Sequence, residues 1–224
     1  MAIKAVLFDM DGLLLDTEAL AIQASIRAAE AQGIGIGEEL HRLMLGTNKE
    51  KSNELLKQRV PQLDLEKFWT VVDAQMWQQV ELNGVPVKPF VRELLKWSKD
   101  NNLLMGLCSS SYREVVEPFV SRAGLTQYFS AIVAGDDDMS LGSKPAPGMY
   151  LRTAHLLGVL PEECLVLEDS PNGLRSGRAA GMTTVMIPDL IPYSEDLAPY
   201  SDAVFSDLSY IPAYIEELRC QSAY

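Results

Sequence analysis

Four short apolar runs rich in β-forming residues punctuate the chain: Ile3 to Phe8, Leu103 to Cys108, Ala131 to Ala134 and Cys164 to Leu167. Runs that stay apolar without alternating suit strands buried on both faces, as in a parallel sheet covered by helices. A fifth run follows at Thr184 to Ile187, and an edge strand is expected at Ala203 to Phe205. Between most of them the apolar positions take on a helical period, at Val91 to Lys99, Val115 to Ala123 and Gly148 to Leu157, with a last helix over Ile211 to Arg219. Strand and helix alternating in this way predict an α/β fold built on a doubly wound parallel sheet.

The interval from about Thr17 to Leu82 breaks that alternation, because it carries helical patterns and no convincing buried strand. Its helices are expected at Glu18 to Gln32, Gly37 to Leu45, Lys49 to Arg59 and Leu65 to Val80, with breaks at Gly33-Ile34-Gly35, Gly46-Thr47-Asn48 and Pro61. Trp69, Met76 and Trp77 read as the core of this module. Asn83-Gly84-Val85-Pro86 is a turn-rich linker back to the sheet. The expected organisation is therefore residues 1–16 and 83–224 as a sheet domain, with residues 17–82 as a helical insertion.

Composition narrows the partners. With 47% hydrophobic residues the 224-residue chain is an ordinary globular protein rather than a disordered one. Nineteen basic against 31 acidic side chains give a net charge of -12, a field that repels nucleic acid and anionic membranes. An anionic substrate would have to be met by a local metal, lysine or backbone N–H group. Cys108, Cys164 and Cys220 are odd in number and scattered, which argues against a disulfide framework or zinc site and fits a reducing compartment. No stretch reaches the roughly 20 apolar residues of a membrane helix. The first residues, MAIKAVLFDMDG, bring acids too early for a secretory leader. A cytoplasmic protein, monomeric or a weak homo-oligomer, is expected.

In open α/β sheets the chemistry gathers at the carboxyl ends of the strands. There the first strand delivers Asp9-Met10-Asp11-Gly12, two carboxylates on one side of an extended backbone. The second delivers Ser109-Ser110-Ser111 at a helix start, hydroxyls and N–H groups suited to an anion. Ser143-Lys144-Pro145 follows the third strand, and Glu168-Asp169-Ser170 ends the fourth. Carboxylates for a hard cation, a lysine and hydroxyls for an anion, and an aspartate free to attack together describe phosphoryl transfer. Each motif alone has a plainer meaning: a turn, a capping serine, a surface lysine, acids at a helix start. Their shared position at strand ends rejects those meanings. Asp136-Asp137-Asp138 reads as a solvated loop, and His41 and His155 as structural.

The ordered set FDMDG, CSSS, SKPAP and LEDSPNG resembles the haloacid dehalogenase superfamily, in its branch of sugar-phosphate phosphatases and β-phosphoglucomutases with a small helical cap. The resemblance covers nearly the whole chain. It implies Asp9 as nucleophile and Asp11 as general acid and base, with the Asp11 carbonyl also on the metal. It further implies that Asp9, Asp11, Glu168 and Asp169 hold Mg²⁺, and that Ser109, Ser110 and Lys144 bind phosphate. Lys49, after a loop that faces the active site in relatives, is a candidate substrate ligand. Two positions depart from the family pattern: Pro89-Phe90 stands where Pro-Gly is common, and Gly148 where an acid is usual.

The expected function is hydrolysis of small phosphorylated metabolites, sugar phosphates foremost, through an aspartyl-phosphate. The alternatives are a β-phosphoglucomutase-type mutase and a non-enzymatic phospho-aspartate signalling domain. The second puts its accepting aspartate on a later strand and lacks a helical insertion. A cap histidine that assists the mutases has no counterpart in Glu18-Ala19-Leu20-Ala21-Ile22. A dehalogenase would normally lack Asp11.

Overall fold

The computed structural model describes residues 3–38, 44 and 49–221. It divides into two compact units, Met1–Leu15 with Val87–Tyr224, and Asp16–Pro86.

The first unit is built on six parallel strands, β1 (Ala5–Phe8), β2 (Leu104–Cys108), β3 (Ala131–Val133), β4 (Cys164–Glu168), β5 (Thr183–Met186) and β6 (Ala203–Val204), in the order β3-β2-β1-β4-β5-β6. β1 lies inside the sheet between β2 and β4, and its Ala5, Val6, Leu7 and Phe8 are all fully buried. The strand order reverses between β1 and β4, which opens a crevice at their carboxyl ends. Register then sets the level of the chemistry. Phe8 pairs with Leu107 on one side and Leu167 on the other, so Asp9, Cys108 and Glu168 come out side by side.

The strands are shorter than the apolar runs that encode them. Ile3 is buried but precedes β1, where Lys4 already bonds backbone to backbone with Glu163 and Leu104. The run at the sheet edge gives only the two residues of β6. One layer of the core joins Ala5 and Leu7 of β1 to Met149, Tyr150 and Ala154, with Leu141 and Leu157 packed against them. Gly106 in β2 permits this, since a Cβ there would lie 2.4 Å from the Thr153 methyl.

The two departures in the sequence each acquire a physical meaning. Phe90 sits at φ 64° and ψ 1°, the left-handed conformation glycine adopts without strain, and it precedes the helix Val91–Asp100. Gly148 opens the helix Gly148–Leu157, and a Cβ on it would stand 2.2 Å from the Leu141 carbonyl oxygen. The short turn Met139–Leu141 can close on the helix only because no side chain intervenes.

The second unit contains α1 (Thr17–Glu30), α2 (Lys49–Arg59) and α3 (Leu65–Asn83). The small residues Ala24, Ala28 and Ala29 of α1 share one buried cluster with Leu56, Phe68 and Val72. Trp69 and Met76 pack against that cluster, whereas Trp77 is only half-buried. α3 starts at Asp64, whose carboxylate accepts from the Lys67 amide, and runs three residues past the expected end to stop at Gly84, φ 76°. The expected helix at Gly37 to Leu45, the Gly46-Thr47-Asn48 loop and His41 lie outside the described residues, apart from residues 37, 38 and 44.

Candidate active site

The helices of the sheet unit, continuing the numbering, are α4 (Val91–Asp100), α5 (Arg113–Arg122), α6 (Gly148–Leu157), α7 (Pro171–Ala179) and α8 (Ile211–Gln221). Lys144 precedes α6 and crosses to the end of β1. Its ammonium donates to Asp9 Oδ1 at 2.5 Å, to Glu168 Oε1 at 2.6 Å and to the Cys108 carbonyl at 2.9 Å. The Lys144 side chain is 5% exposed and that of Glu168 is fully buried, so these are desolvated, charge-assisted contacts. Burial opposes the charge on Lys144, but the carboxylates of Asp9 and Glu168 more than offset it and hold the ammonium well above its ordinary range.

Glu168 is held at both oxygens. Oε1 also accepts from the Tyr150 hydroxyl at 2.7 Å, and Oε2 accepts from the Ser170 hydroxyl at 2.9 Å. Ser170 works twice, because as the N-cap of α7 its Oγ accepts from the Gly173 amide at 3.0 Å. Tyr150 lies fully buried under the site, with the Lys144 ammonium 4.9 Å from its ring centroid. Burial and the neighbouring Glu168 charge push its phenol up.

On the other side of β1, Asp11 is half-buried and its Oδ2 accepts from Ser111 Oγ at 2.8 Å and from Ser109 Oγ at 3.3 Å. Ser109 in turn accepts from the Ser111 amide at 3.0 Å. The hydroxyls after β2 thus fix Asp11, and the serine loop is itself closed against β3 by Gly135, where a Cβ would meet the Ser110 carbonyl at 2.2 Å. Ser110 is exposed.

Asp9, Glu168 and Asp169 offer carboxylate oxygens that all lie within 4.8 Å of one another. Burial raises the Asp9 carboxyl well above the usual carboxylate range; Lys144 pulls it down, and the negative Glu168 and Asp11 push it up again. One ammonium among four carboxylates leaves an excess of negative charge that a divalent cation would largely offset. Hard oxygen donors of this kind suit Mg²⁺. Cys108 faces the same region but is inert: burial drives its thiol up to about 12.

Asp9, Asp11, Ser109, Lys144, Glu168 and Asp169 therefore lie at one end of one sheet. Lys49 lies in the helical unit, exposed, with its ammonium 5.5 Å from the Trp69 ring centroid. Sequence reasoning did not single out Tyr150 or Ser170. Tyr150 follows Met149 on an apolar helical face and looked like core, whereas Ser170 directly before Pro171 carried a readable N-cap signal.

Residues 6–187 match the family model described as haloacid dehalogenase-like hydrolase. The phosphorylated carbohydrates phosphatase of Thermotoga maritima is 34% identical over 81% of this chain and 83% of its own. Hexitol phosphatase B of Escherichia coli K12 is 31% identical over 94% of this chain and 95% of its own. A solved structure from Thermotoga maritima, a candidate β-phosphoglucomutase, superposes with a TM-score of 0.80 at 28% identity, covering 96% of this chain and 99% of that one. The chain belongs to the haloacid dehalogenase-like hydrolases. Within them its named relatives include phosphatases of phosphorylated carbohydrates and hexitols, and the chain is a phosphatase-type hydrolase. No helix of the described residues is long and apolar enough to cross a membrane.

Proposed function

We propose that this chain hydrolyses small phosphorylated sugars, with Mg²⁺ bound, through an aspartyl-phosphate on Asp9. The observation that carries the reading is the placing of Lys144 between Asp9 and Glu168, with Asp11 held by serine hydroxyls on the other side of the same strand end. Asp9 attacks phosphorus along its free carboxylate direction, and the P–O bond to the sugar breaks. Asp11 donates a proton to the departing oxygen, then takes one from the water that cleaves the acyl phosphate. Ser109, the Ser110 amide and Lys144 hold the transferring oxygens. Mg²⁺ on Asp9, the Asp11 carbonyl, Glu168 and Asp169 would supply charge neutralisation and favour the ionised form of Asp9.

The helical insertion, entered directly after Asp11, acts as a cap that selects the leaving group, with Lys49 a substrate ligand from it. Ala21 offers neither donor nor acceptor in the stretch that assists mutases, so water has no competitor for the acyl phosphate and phosphate release exceeds isomer exchange. The substrate is taken as a phosphorylated sugar because two relatives are named for such compounds. A cytoplasmic setting goes with three unpaired cysteines.

The test is a phosphate-release screen over phosphorylated sugars, nucleotides and phosphoglycolate, with Mg²⁺ and with excess chelator. Metal-dependent release from sugar phosphates is expected. Undiminished turnover in chelator, or β-glucose 1-phosphate converted to glucose 6-phosphate without matching phosphate, refutes it. Lys49→Ala should raise KM for the sugar phosphate and leave p-nitrophenyl phosphate unaffected.

A further inference from the structure

One carboxylate oxygen beside the site has no partner. Asp189 lies in the loop after β5, and its Oδ1 accepts from the Lys88 ammonium at 2.5 Å, while Oδ2 is closed to solvent and receives no hydrogen bond. The pair is mostly buried, with side chains 22% and 15% exposed. Buried carboxylate oxygens are normally satisfied, so an orphan calls for a ligand or a water that completes it.

Its surroundings say which. A Cβ placed on Gly12 would lie 3.4 Å from Asp189 Oδ2 and 2.3 Å from Asp169 Oδ2. Asp169 belongs to the carboxylate group fit for a cation, and Gly12 follows directly on Asp11. Glycine at φ 82° thus lets two carboxylates from different strand ends close on one loop. Lys88 belongs to the same frame, since its amide donates to the Leu14 carbonyl two residues further along that loop. The ammonium fixes the Asp189 rotamer and leaves Oδ2 turned toward the loop.

We propose that Asp189 is a positioning residue for the divalent cation, its Oδ2 accepting a hydrogen bond from a water in the ion's hydration shell. Mg²⁺ keeps several waters when protein-bound, and each needs an acceptor in a closed site. Lys88 holds the acceptor in place. The assignment rests on the Mg²⁺ reading of the site above.

Asparagine is the discriminating substitution. Lys88 requires an oxygen, so the amide turns its carbonyl to Lys88 and its NH₂ to the Oδ2 position, where a donor would face a donor. Mg²⁺ binding is measured by calorimetric titration with MgCl₂, in the absence of substrate, on the wild type, Asp169→Asn, Asp189→Asn and the double variant Lys88→Met/Asp189→Leu, in which no side-chain acceptor remains to turn toward the water. The double variant removes the ion pair together and leaves no lone buried charge, so it reports on the metal even if the single variant folds poorly. The wild type should bind, Asp169→Asn should lose binding, and both variants of Asp189 should weaken the Kd by about tenfold or more. Asp189 variants that bind within twofold of the wild type, while Asp169→Asn does not bind, overturn this assignment and spare the metal site. A wild type that binds no Mg²⁺ overturns both.

Discussion

Gly173→Ala probes how the buried ion network is assembled. Gly173 sits in the first turn of α7, and a Cβ there would stand 1.8 Å from Glu168 Cδ, 1.9 Å from Oε1 and 2.0 Å from Oε2. Carbon atoms in contact sit about 3.5–4 Å apart, so the carboxylate must move by well over an ångström. Its bonds to Lys144 at 2.6 Å, Tyr150 at 2.7 Å and Ser170 at 2.9 Å do not survive such a shift together. A fully buried carboxylate deprived of its partners costs about 3–5 kcal/mol. Replacing a helical glycine by alanine returns about 0.5–1 kcal/mol. The net expectation is a loss of about 3 kcal/mol, or roughly 6–12 °C in Tm for a chain of this size. Turnover should fall in parallel, because Lys144 loses Glu168, the carboxylate that together with the Cys108 carbonyl aims it at Asp9. Urea unfolding followed by tryptophan fluorescence and far-UV dichroism measures the stability, and phosphate release measures the site. Gly35→Ala, where a Cβ meets nothing within 4 Å, is the control and should stay within about 0.5 kcal/mol of the wild type. A Gly173→Ala protein with wild-type midpoint and wild-type turnover would refute the reasoning.

Three further outcomes are expected. Tyr150→Phe deletes a buried donor to Glu168 and should cost about 1.5–3 kcal/mol in urea unfolding, as hydrogen bonds to charged groups do; a change under about 0.5 kcal/mol contradicts this. Hydrogen bonding from Arg113 holds the Asp137 carboxyl below its ordinary value, so its contribution is present above the unfolded pKa and lost as pH falls through the folded one. The stability gap between the wild type and Asp137→Asn should therefore be flat near neutrality and close in acid, and urea melts that show it widening in acid would count against the pair. Burial pushes the thiols of Cys108 and Cys164 up to about 12 while Cys220 is exposed, so a thiol reagent at pH 8 should label one cysteine in the folded protein and three after unfolding.

The parallel sheet was legible because β1, β2 and β4 as far as Leu167 carry no polar residue to blur the apolar run. Strand ends were less so, since Ile3 and Leu103 are buried like strand residues without entering the ladder. The candidate catalytic residues stood out because carboxylates, serines and a lysine directly after apolar strands have no packing role to play. Tyr150 was hidden for the opposite reason: its ring fills the core while its hydroxyl serves Glu168, and periodicity reports only the ring. Asp189 depends on a pairing with Lys88, 101 residues away in sequence, and Gly173 on the first turn of α7 folding back over Glu168, and hydrophobic periodicity encodes neither. The strained Phe90 was visible only as a departure, and its φ of 64° gave the departure a physical content.

The central claim is that Asp9 carries the phosphoryl group. An acyl phosphate is reduced by borohydride where a free carboxylate is not, which converts the aspartate that bore it to homoserine. Wild-type protein turning over p-nitrophenyl phosphate with Mg²⁺ is quenched into borohydride, digested and sequenced by mass spectrometry. Homoserine at position 9, present only with substrate and absent from Asp9→Asn, is the predicted result; active turnover with Asp9 unmodified, or homoserine at another aspartate, would contradict it.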